Sequence, residues 1–288
     1  MIEAIDEESR FSYTARMKIV SWNVNGIRSV FKTTFLEWLK KEDPDIVCLQ
    51  EIKADAKELD TTFSEIDGYF AYFNSGSKKG HSGVAIYTKI KPVEVEIHLG
   101  IDRFDEEGRC IKLTFDDFIL FNFYIPNGGR MKENMAYKLD LYSKLLLLFR
   151  SLANKPVILT GDFNIAHTEM DLCYPKQNQN NTMFTPEERK QITTLLNLGY
   201  VDAFRYKYPE KKSYTWWSYM SDLRERDVGW RIDYFFVTEA LKLLVQDVFS
   251  QREVLGSDHG PLVMVLNKDI VIKERPVYLK KETQPILF

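Results

Sequence analysis

A layered α/β sandwich, with two mostly antiparallel sheets packed face to face and helices outside each, is the fold class this sequence predicts. Three observations lead there. The 288 residues are 44% hydrophobic and 14% aromatic, ample for a large core. Helical and strand-like periodicities alternate along the chain, and the order helix, several strands, helix occurs twice. No linker or sequence repeat interrupts the pattern. Two such sheets bury their apolar faces only against each other and against helices. Residues 17–267 are therefore expected to form one domain. A flexible extension at 1–16, unless Met17 is the true start, and a charged tail at 268–288 flank it.

The elements follow in order. "MKIVSWNVNG", from Met17, opens the first strand. "TTFLEWLKKEDPD" sets Phe35, Leu36 and Leu39 at helical spacing and stops at Pro44. "DIVCLQE" is a short buried strand, and "YFAYFNS", "SGVAIYTK" and "VEVEIHL" are strands between Gly- or Pro-containing breaks. "RCIKLTFDDFILFNFYIP" reads as a hairpin turning at Asp116-Asp117. "ENMAYKLDLYSKLLLLFRSL" is the longest helix and "KPVILTGDFN" the most strand-like run. "FTPEERKQITTLLNLG" carries a full set of helix signals: Thr185 as cap, Pro186 at the first position, Glu188 completing a capping box, Gly199 as the stop. "RIDYFFVT" and "GPLVMVLN" are the final strands.

Composition excludes several classes of function. No apolar run approaches the ~20 residues of a membrane span, and the acidic opening "MIEAIDEESRFSYTAR" lacks the apolar core of a secretory signal. Cys48, Cys110 and Cys173 are odd in number, widely spaced and without a CxxC. That argues against a disulfide framework or zinc site and for a reducing cytoplasm. The net charge is −3. Nucleic-acid binders are more often basic, so a role on DNA requires positive charge gathered on one face.

Polar residues recur where strands end: Asn23 and Asn25, Glu51, Tyr124 and Asn127, Asp162 and Asn164, Asp233, and Asp258-His259. Singly, each is an ordinary turn residue. Together they matter, because strand ends in a sandwich converge on one rim. Carboxylates with amide oxygens suit a hard cation such as Mg²⁺, which keeps waters for its substrate. No GxxxxGK[ST] loop and no GxSxG elbow is present. A metal with Asp, Asn and His fits attack of water on a phosphodiester.

"SWNVNGIR", "LQEIK", "YIPNGGR", "GDFNIAH", "VGWRIDYFF" and "GSDHGP", in this order, resemble the exonuclease III family of abasic-site DNA endonucleases. That family lies in the endonuclease/exonuclease/phosphatase superfamily with the deoxyribonuclease I-like fold. The resemblance runs from Met17 to about Asn267. "GDFN" and "SDHGP" are generic to the superfamily. "SWNVNGIR", "DLCYPKQNQNNTMFTPEER" and "WWSYMSDLRERDVGWRIDYFF" are particular to the abasic-site branch.

The resemblance implies roles. Glu51 is the main Mg²⁺ ligand, with Asp258 nearby and Asn25 where some relatives carry Asp; Mn²⁺ is expected to substitute. Asp162 orients and deprotonates the attacking water, with Asn164 and Asn23 holding water or phosphate oxygens. His259 places a proton donor on the phosphate, Asp233 keeps it charged, and Tyr124 donates to the scissile phosphate or the departing oxygen. Which group supplies the base, Asp162 or the His259–Asp233 pair, stays open. Trp216, Trp230 and Ile232 are expected to line a pocket for a flipped-out abasic deoxyribose, while Tyr214, Trp217 and Phe235 are core. Asn127, Arg28, Lys32, Lys78, Lys79, Arg130 and Asn178 are expected in loops that contact the DNA backbone, with Arg224, Arg226 and Arg231 beside the tryptophans. His81 and Tyr174 depart from the family pattern, which carries Tyr and Asn there.

The implied reaction is hydrolysis 5′ to abasic sites in duplex DNA, leaving a 3′-hydroxyl and a 5′-deoxyribose phosphate. Trimming of 3′ ends, as exonuclease and phosphodiesterase or phosphatase, accompanies it. A monomer in the cytoplasm, nucleoid-associated if prokaryotic, is expected. Two alternatives remain: another phosphoesterase on this fold, such as an inositol phosphatase, and a catalytically silent DNA-binding relative. The apolar pocket argues against the first and the intact set Glu51, Asp162, Asp233 and His259 against the second. The final "QPILF" resembles the Gln-x-x-Leu-Phe peptides that bind DNA sliding clamps, with Gln284, Leu287 and Phe288 as anchors. An apolar terminus folded onto its own core is the other reading.

Overall fold

The computed structural model describes residues 16–219 and 221–267. One sheet has the order β11 (Val245–Ser250), β12 (Leu262–Asn267), β1 (Arg16–Asn23), β2 (Ile46–Gln50), β4 (Val84–Thr88), β3 (Phe70–Asn74). The other has β5 (Glu94–Glu96), β6 (Cys110–Thr114), β7 (Ile119–Tyr124), β8 (Val157–Asp162), β10 (Asp233–Thr238), β9 (Tyr200–Asp202). Only β1–β2 and β7–β8 run parallel; the other named pairs are antiparallel. The helices are α1 (Ile27–Thr33), α2 (Phe35–Glu42), α3 (Thr61–Ser64), α4 (Asp102–Glu106), α5 (Met135–Leu152), α6 (Pro175–Asn178), α7 (Pro186–Asn197), α8 (Ala203–Lys207) and α9 (Glu239–Lys242). No helix among the described residues is long and apolar enough to cross a membrane.

Side-chain alternation builds the layers. Ile19, Ile46, Cys48, Ile86 and Met264 of the first sheet meet Ile111, Leu113, Leu120, Ile158, Phe235 and Val237 of the second in one buried cluster. Their strand neighbours Val20, Trp22, Val47, Leu49 and Tyr87 point outward and pack on Phe35, Trp38 and Leu39 of α2. On the far side, Phe121, Phe123, Leu159 and Phe236 pack on Leu141, Leu145 and Phe149 of α5 and Ile192 and Leu195 of α7. With both faces covered, central strands such as β2, β4 and β8 are buried at every position.

Several readings need adjustment. In α2 the indole of Trp38 takes the buried position and Leu36 is 46% exposed. The "VEVEIHL" strand shortens to Glu94–Glu96. Strand β11 and helix α1 had not been anticipated, because "VQDVFS" and "IRSVFKT" are too short and too polar to show a clean period. By contrast, the Thr185 cap and the reciprocal Glu188 bond of α7 form as read. The segments assigned to extension and tail lie, save Arg16, outside the described residues.

Candidate active site

Strand register alone places half of the site. Asp162 ends β8, and its rung partners are Asp233 on β10 and Tyr124 on β7. A glycine is needed just before it: a Cβ at Gly161, φ +129°, would lie 1.9 Å from the Phe123 carbonyl oxygen. On the facing sheet, the β1–β2 pairing continues past the strand ends. Val24 N–H donates to the Gln50 carbonyl (3.0 Å), Gly26 to Glu51 (2.8 Å) and Ile27 to Ile52 (2.9 Å). This ladder sets Asn23 and Asn25 beside Glu51 and Lys53. Asn25, Glu51, Lys53 and Asn164 are all non-glycine residues with φ of 47–55°. Left-handed backbone at so many neighbouring positions persists only where surrounding contacts enforce it.

Hydrogen bonds join the two rims. Asn23 Nδ2 donates to Glu51 Oε2 (3.1 Å) and to Asp162 Oδ2 (2.9 Å). The Asn164 backbone N–H donates to Asp162 Oδ1 (2.9 Å) and its side-chain amide to Asp162 Oδ2 (3.1 Å). Asn127 Nδ2 donates in turn to Asn164 Oδ1 (3.1 Å). His259 Nδ1 sits 2.8 Å from Asp233 Oδ2, and its Nε2 stands 3.9 Å from Asp162 Oδ2. Ligand atoms of Asp162, Asp233 and His259 all lie within 4.8 Å of one another, a possible metal-holding group.

A second set surrounds Glu51. Its Oε1 takes Lys53 Nζ at 2.9 Å, and Lys53 also donates to Asn25 Oδ1. Asn25 Nδ2 donates to Asp258 Oδ1 (3.0 Å) and to the Tyr219 hydroxyl (3.2 Å). The amide at Asn25 thus links a cation to a carboxylate, which an aspartate there could not do. Trp216 Nε1 donates to Asp258 Oδ2 at 2.9 Å. The Ser257 hydroxyl donates to the Asn23 carbonyl (2.7 Å), closing the loop onto β1.

Burial and charge set the protonation states. Burial, then Asp233, pushes the Asp162 carboxyl up to about 7 against the pull of His259. For His259, burial alone would lower the imidazole, but Asp233, then Asp162 and Asp258, outweigh it and raise the ring to about 10. Burial and the nearby Glu51 raise the Tyr124 phenol well above its ordinary range. Asp258 is held low: burial opposes ionisation, while His259 and the N–H groups of Trp216 and Asn25 overcome it.

Trp216 and Trp230 are half-buried, edge to face at 6.4 Å, above buried Ile232. Bridges Trp216–Trp230 and Trp216–His259 attach this wall to the site. Tyr214, Trp217 and Phe235 are buried as read.

The basic residues are carried by several elements, and most have local partners. Arg28 and Lys32 lie on helix α1, not in a loop. Arg28 and Lys79 both pair with Glu58, at 3.6 and 2.7 Å. Asn178 ends α6 and donates to the Tyr174 carbonyl (2.9 Å), and Arg130 is exposed between β7 and α5. Arg231 is buried against Asp171 and Asp202, both at 2.8 Å. Arg224 caps the carbonyls of Arg252, Ser257 and Val254. Arg226 alone of these three is exposed, and it reaches Asp222 at 3.4 Å. Lys53 and Tyr219 had not been anticipated in the site. The "LQEIK" spacing, two residues past Glu51 at a strand end, was the available signal for Lys53.

Residues 20–259 match the Endonuclease/Exonuclease/phosphatase family. This chain belongs to that family. It is 43% identical over 254 residues to an exodeoxyribonuclease of Bacillus subtilis (strain 168), spanning 87% of this chain and 100% of the relative. It is 42% identical over 265 residues to the DNA repair nuclease APEX1 of Danio rerio, spanning 90% and 84%. Among solved structures, an AP endonuclease from Archaeoglobus fulgidus matches with a TM-score of 0.80 at 31% identity, covering 87% of this chain and 99% of that one. The 3'-5' exonuclease NExo from Neisseria meningitidis matches with a TM-score of 0.80 at 29% identity, covering 86% and 98%. The deoxyribonuclease I-like architecture and the nuclease branch read from the sequence are thus both borne out for this family member.

Proposed function

We propose that this protein is a DNA repair endonuclease that hydrolyses the phosphodiester 5′ to abasic sites in duplex DNA and trims 3′ ends. The observation that carries this reading is the seating of Trp216. Its indole stands edge to face with Trp230 beside Ile232, an apolar wall that we assign to the sugar, and donates to Asp258. A pocket lined by rings admits a bare deoxyribose and excludes a nucleotide with its base, and flipping is easiest where no base stacks. A polyphosphate head group would need cations where Trp216 and Trp230 stand.

The donor set fits a hard divalent cation, which we assign as Mg²⁺ with Mn²⁺ as substitute. Glu51 and Asn25 already share one cation, the Lys53 ammonium, and Asp258 is bonded to Asn25. His259 is a poor ligand, because a charged imidazole has no free lone pair. We therefore favour Glu51, Asn25 and Asp258 as the holders. When bound, the ion would offset charge on the phosphate oxygens.

The chain's own groups supply the rest. Asp162, with ionisation near neutrality and both oxygens fixed by Asn23 and Asn164, accepts the proton of the attacking water. The 3.9 Å between Asp162 Oδ2 and His259 Nε2 is too long for a direct bond. A single water or phosphate oxygen placed between them would bond to both groups. His259, charged through Asp233, donates to a phosphate oxygen, and Tyr124, held protonated, donates to the departing 3′ oxygen as the P–O3′ bond breaks. In this reading residues 17–267 form the single catalytic domain, and the protein acts as a monomer in the cytoplasm. Gln284, Leu287 and Phe288, the proposed clamp contacts, lie outside the described residues.

The test is a substrate panel with Mg²⁺: a duplex with one abasic analogue, the same duplex intact, and an inositol polyphosphate. Cutting of the first alone, 5′ to the lesion, is expected. Release of phosphate from the inositol compound with the duplexes untouched overturns the assignment.

A further inference from the structure

Beneath the catalytic rim lies an ion pair that the mechanism does not use. Lys138 on α5 and Glu188 on α7 are both completely buried, with Nζ 2.5 Å from Oε1. A buried pair of this kind is a weak source of stability, because desolvation of both charges offsets most of their attraction. What distinguishes this one is where the remaining ammonium protons go. Lys138 Nζ donates to the Asn164 carbonyl at 2.7 Å and to the Asn127 carbonyl at 3.0 Å. All three protons are thereby used, two of them on main-chain oxygens of the loops that follow β8 and β7.

Those loops carry the groups that aim Asp162. Asn164 holds both carboxylate oxygens of Asp162, through its backbone N–H and its amide. It does so from a left-handed backbone, φ 52°, a conformation that asparagine adopts more readily than other side-chain-bearing residues. Asn127 steadies the Asn164 side chain from the neighbouring loop. Glu188 fixes the ammonium from below while accepting the Met183 and Thr185 N–H groups at the start of α7. The chain of contact runs α7, Glu188, Lys138, Asn164, Asp162.

We propose that Lys138 is a positioning residue for hydrolysis, a buried cation whose bonds to the Asn127 and Asn164 carbonyls hold Asp162 in its reactive orientation. This rests on the nuclease reading above for its kinetic consequence, though the Lys138 contacts themselves do not. Lys138 touches neither substrate nor reacting atoms. Its loss acts on the turnover step and leaves ground-state binding of DNA to the exposed face unchanged.

The single change Lys138→Met would strand Glu188 as an unpaired buried carboxylate and unfold the protein for an unrelated reason. The double variant Lys138→Met with Glu188→Gln removes both charges together, and an amide at 188 still completes the capping box of α7. Three measurements on the wild type and this variant decide the matter: Tm, steady-state kinetics on an abasic-analogue duplex, and amide hydrogen exchange. The expected result is a folded variant with Tm lowered by several degrees, because two buried carbonyls lose their donor, kcat lower by roughly 10- to 100-fold with a much smaller change in KM, and faster exchange at 125–129 and 162–166, accompanied only by the Met183 N–H, which shares the altered Glu188 side chain. A folded variant with wild-type kcat and unchanged exchange in those segments overturns the proposal. If the wild type cuts nothing while the variant still loses protection there, the hold of Lys138 on the two loops stands and the nuclease reading falls.

Discussion

His259 keeps its proton because Asp233 Oδ2 stands 2.8 Å from Nδ1, in a place where burial alone would strip it. The ring's folded-state value, about 10, lies above the ordinary 6.5. The stability of the pair is therefore complete below 6.5 and drains away as pH climbs through about 10. In Asp233→Asn the main attraction is gone, and burial becomes the larger effect. The variant's His259 ring is expected to lose its proton below pH 7, followed as the imidazole carbon-bound proton shift by NMR. Titration still near 10 would show that Asp162 and Asp258 suffice without Asp233. Asp162 is the counterpart: burial first, and then the Asp233 carboxylate on the same rung, raise its value to about 7, so that it becomes a base matched to neutral pH.

At the scale of elements, Arg231 decides whether the pocket strand sits correctly. It lies between Trp230 and Ile232 at the entry to β10 and turns inward to Asp171 and Asp202. Arg231→Met leaves buried carboxylates short of their partner and is expected to cost about 3–5 kcal/mol, lowering Tm by roughly 6–20 °C. A melting shift under two degrees would mean that Arg205, which also reaches Asp171, carries the network alone. This role was not legible in the sequence. Arg231 sits beside tryptophans in a segment that resembles a DNA-contacting one, and nothing local says that its head points into the core. The same limit hid Tyr219 and the contacts of Arg224, whose partners are distant in the chain. What was legible had local causes. The polar groups at strand ends stand out against apolar runs, and the α7 cap is written in four consecutive positions. Strand β11 was missed because its pairing with β12, not its own pattern, makes it a strand.

For the molecule as a whole, the acidic balance of −3 means that any attraction to DNA has to come from local cations. Two of these, Arg28 and Lys79, are partly neutralised by Glu58. Glu58→Gln is expected to tighten binding to any duplex by about two- to tenfold at low salt, with the gain fading as ionic strength rises. Fluorescence anisotropy across a salt series measures it. Equal affinity for variant and wild type at every salt would place the DNA elsewhere. The central claim joins all three scales: sheet register brings Asp162 to the rim, Asn23 and Asn164 aim it, and the molecule presents it to an abasic site. One measurement tests this most directly: strand cleavage of a duplex carrying one abasic analogue that cannot β-eliminate. Wild type and Asp162→Asn are run side by side, each with Mg²⁺ and with EDTA. Metal-dependent cutting on the 5′ side that leaves a 3′-hydroxyl, absent in the variant, is the predicted result. An intact strand with wild-type protein bound to it, or undiminished cutting by the variant, would contradict the account.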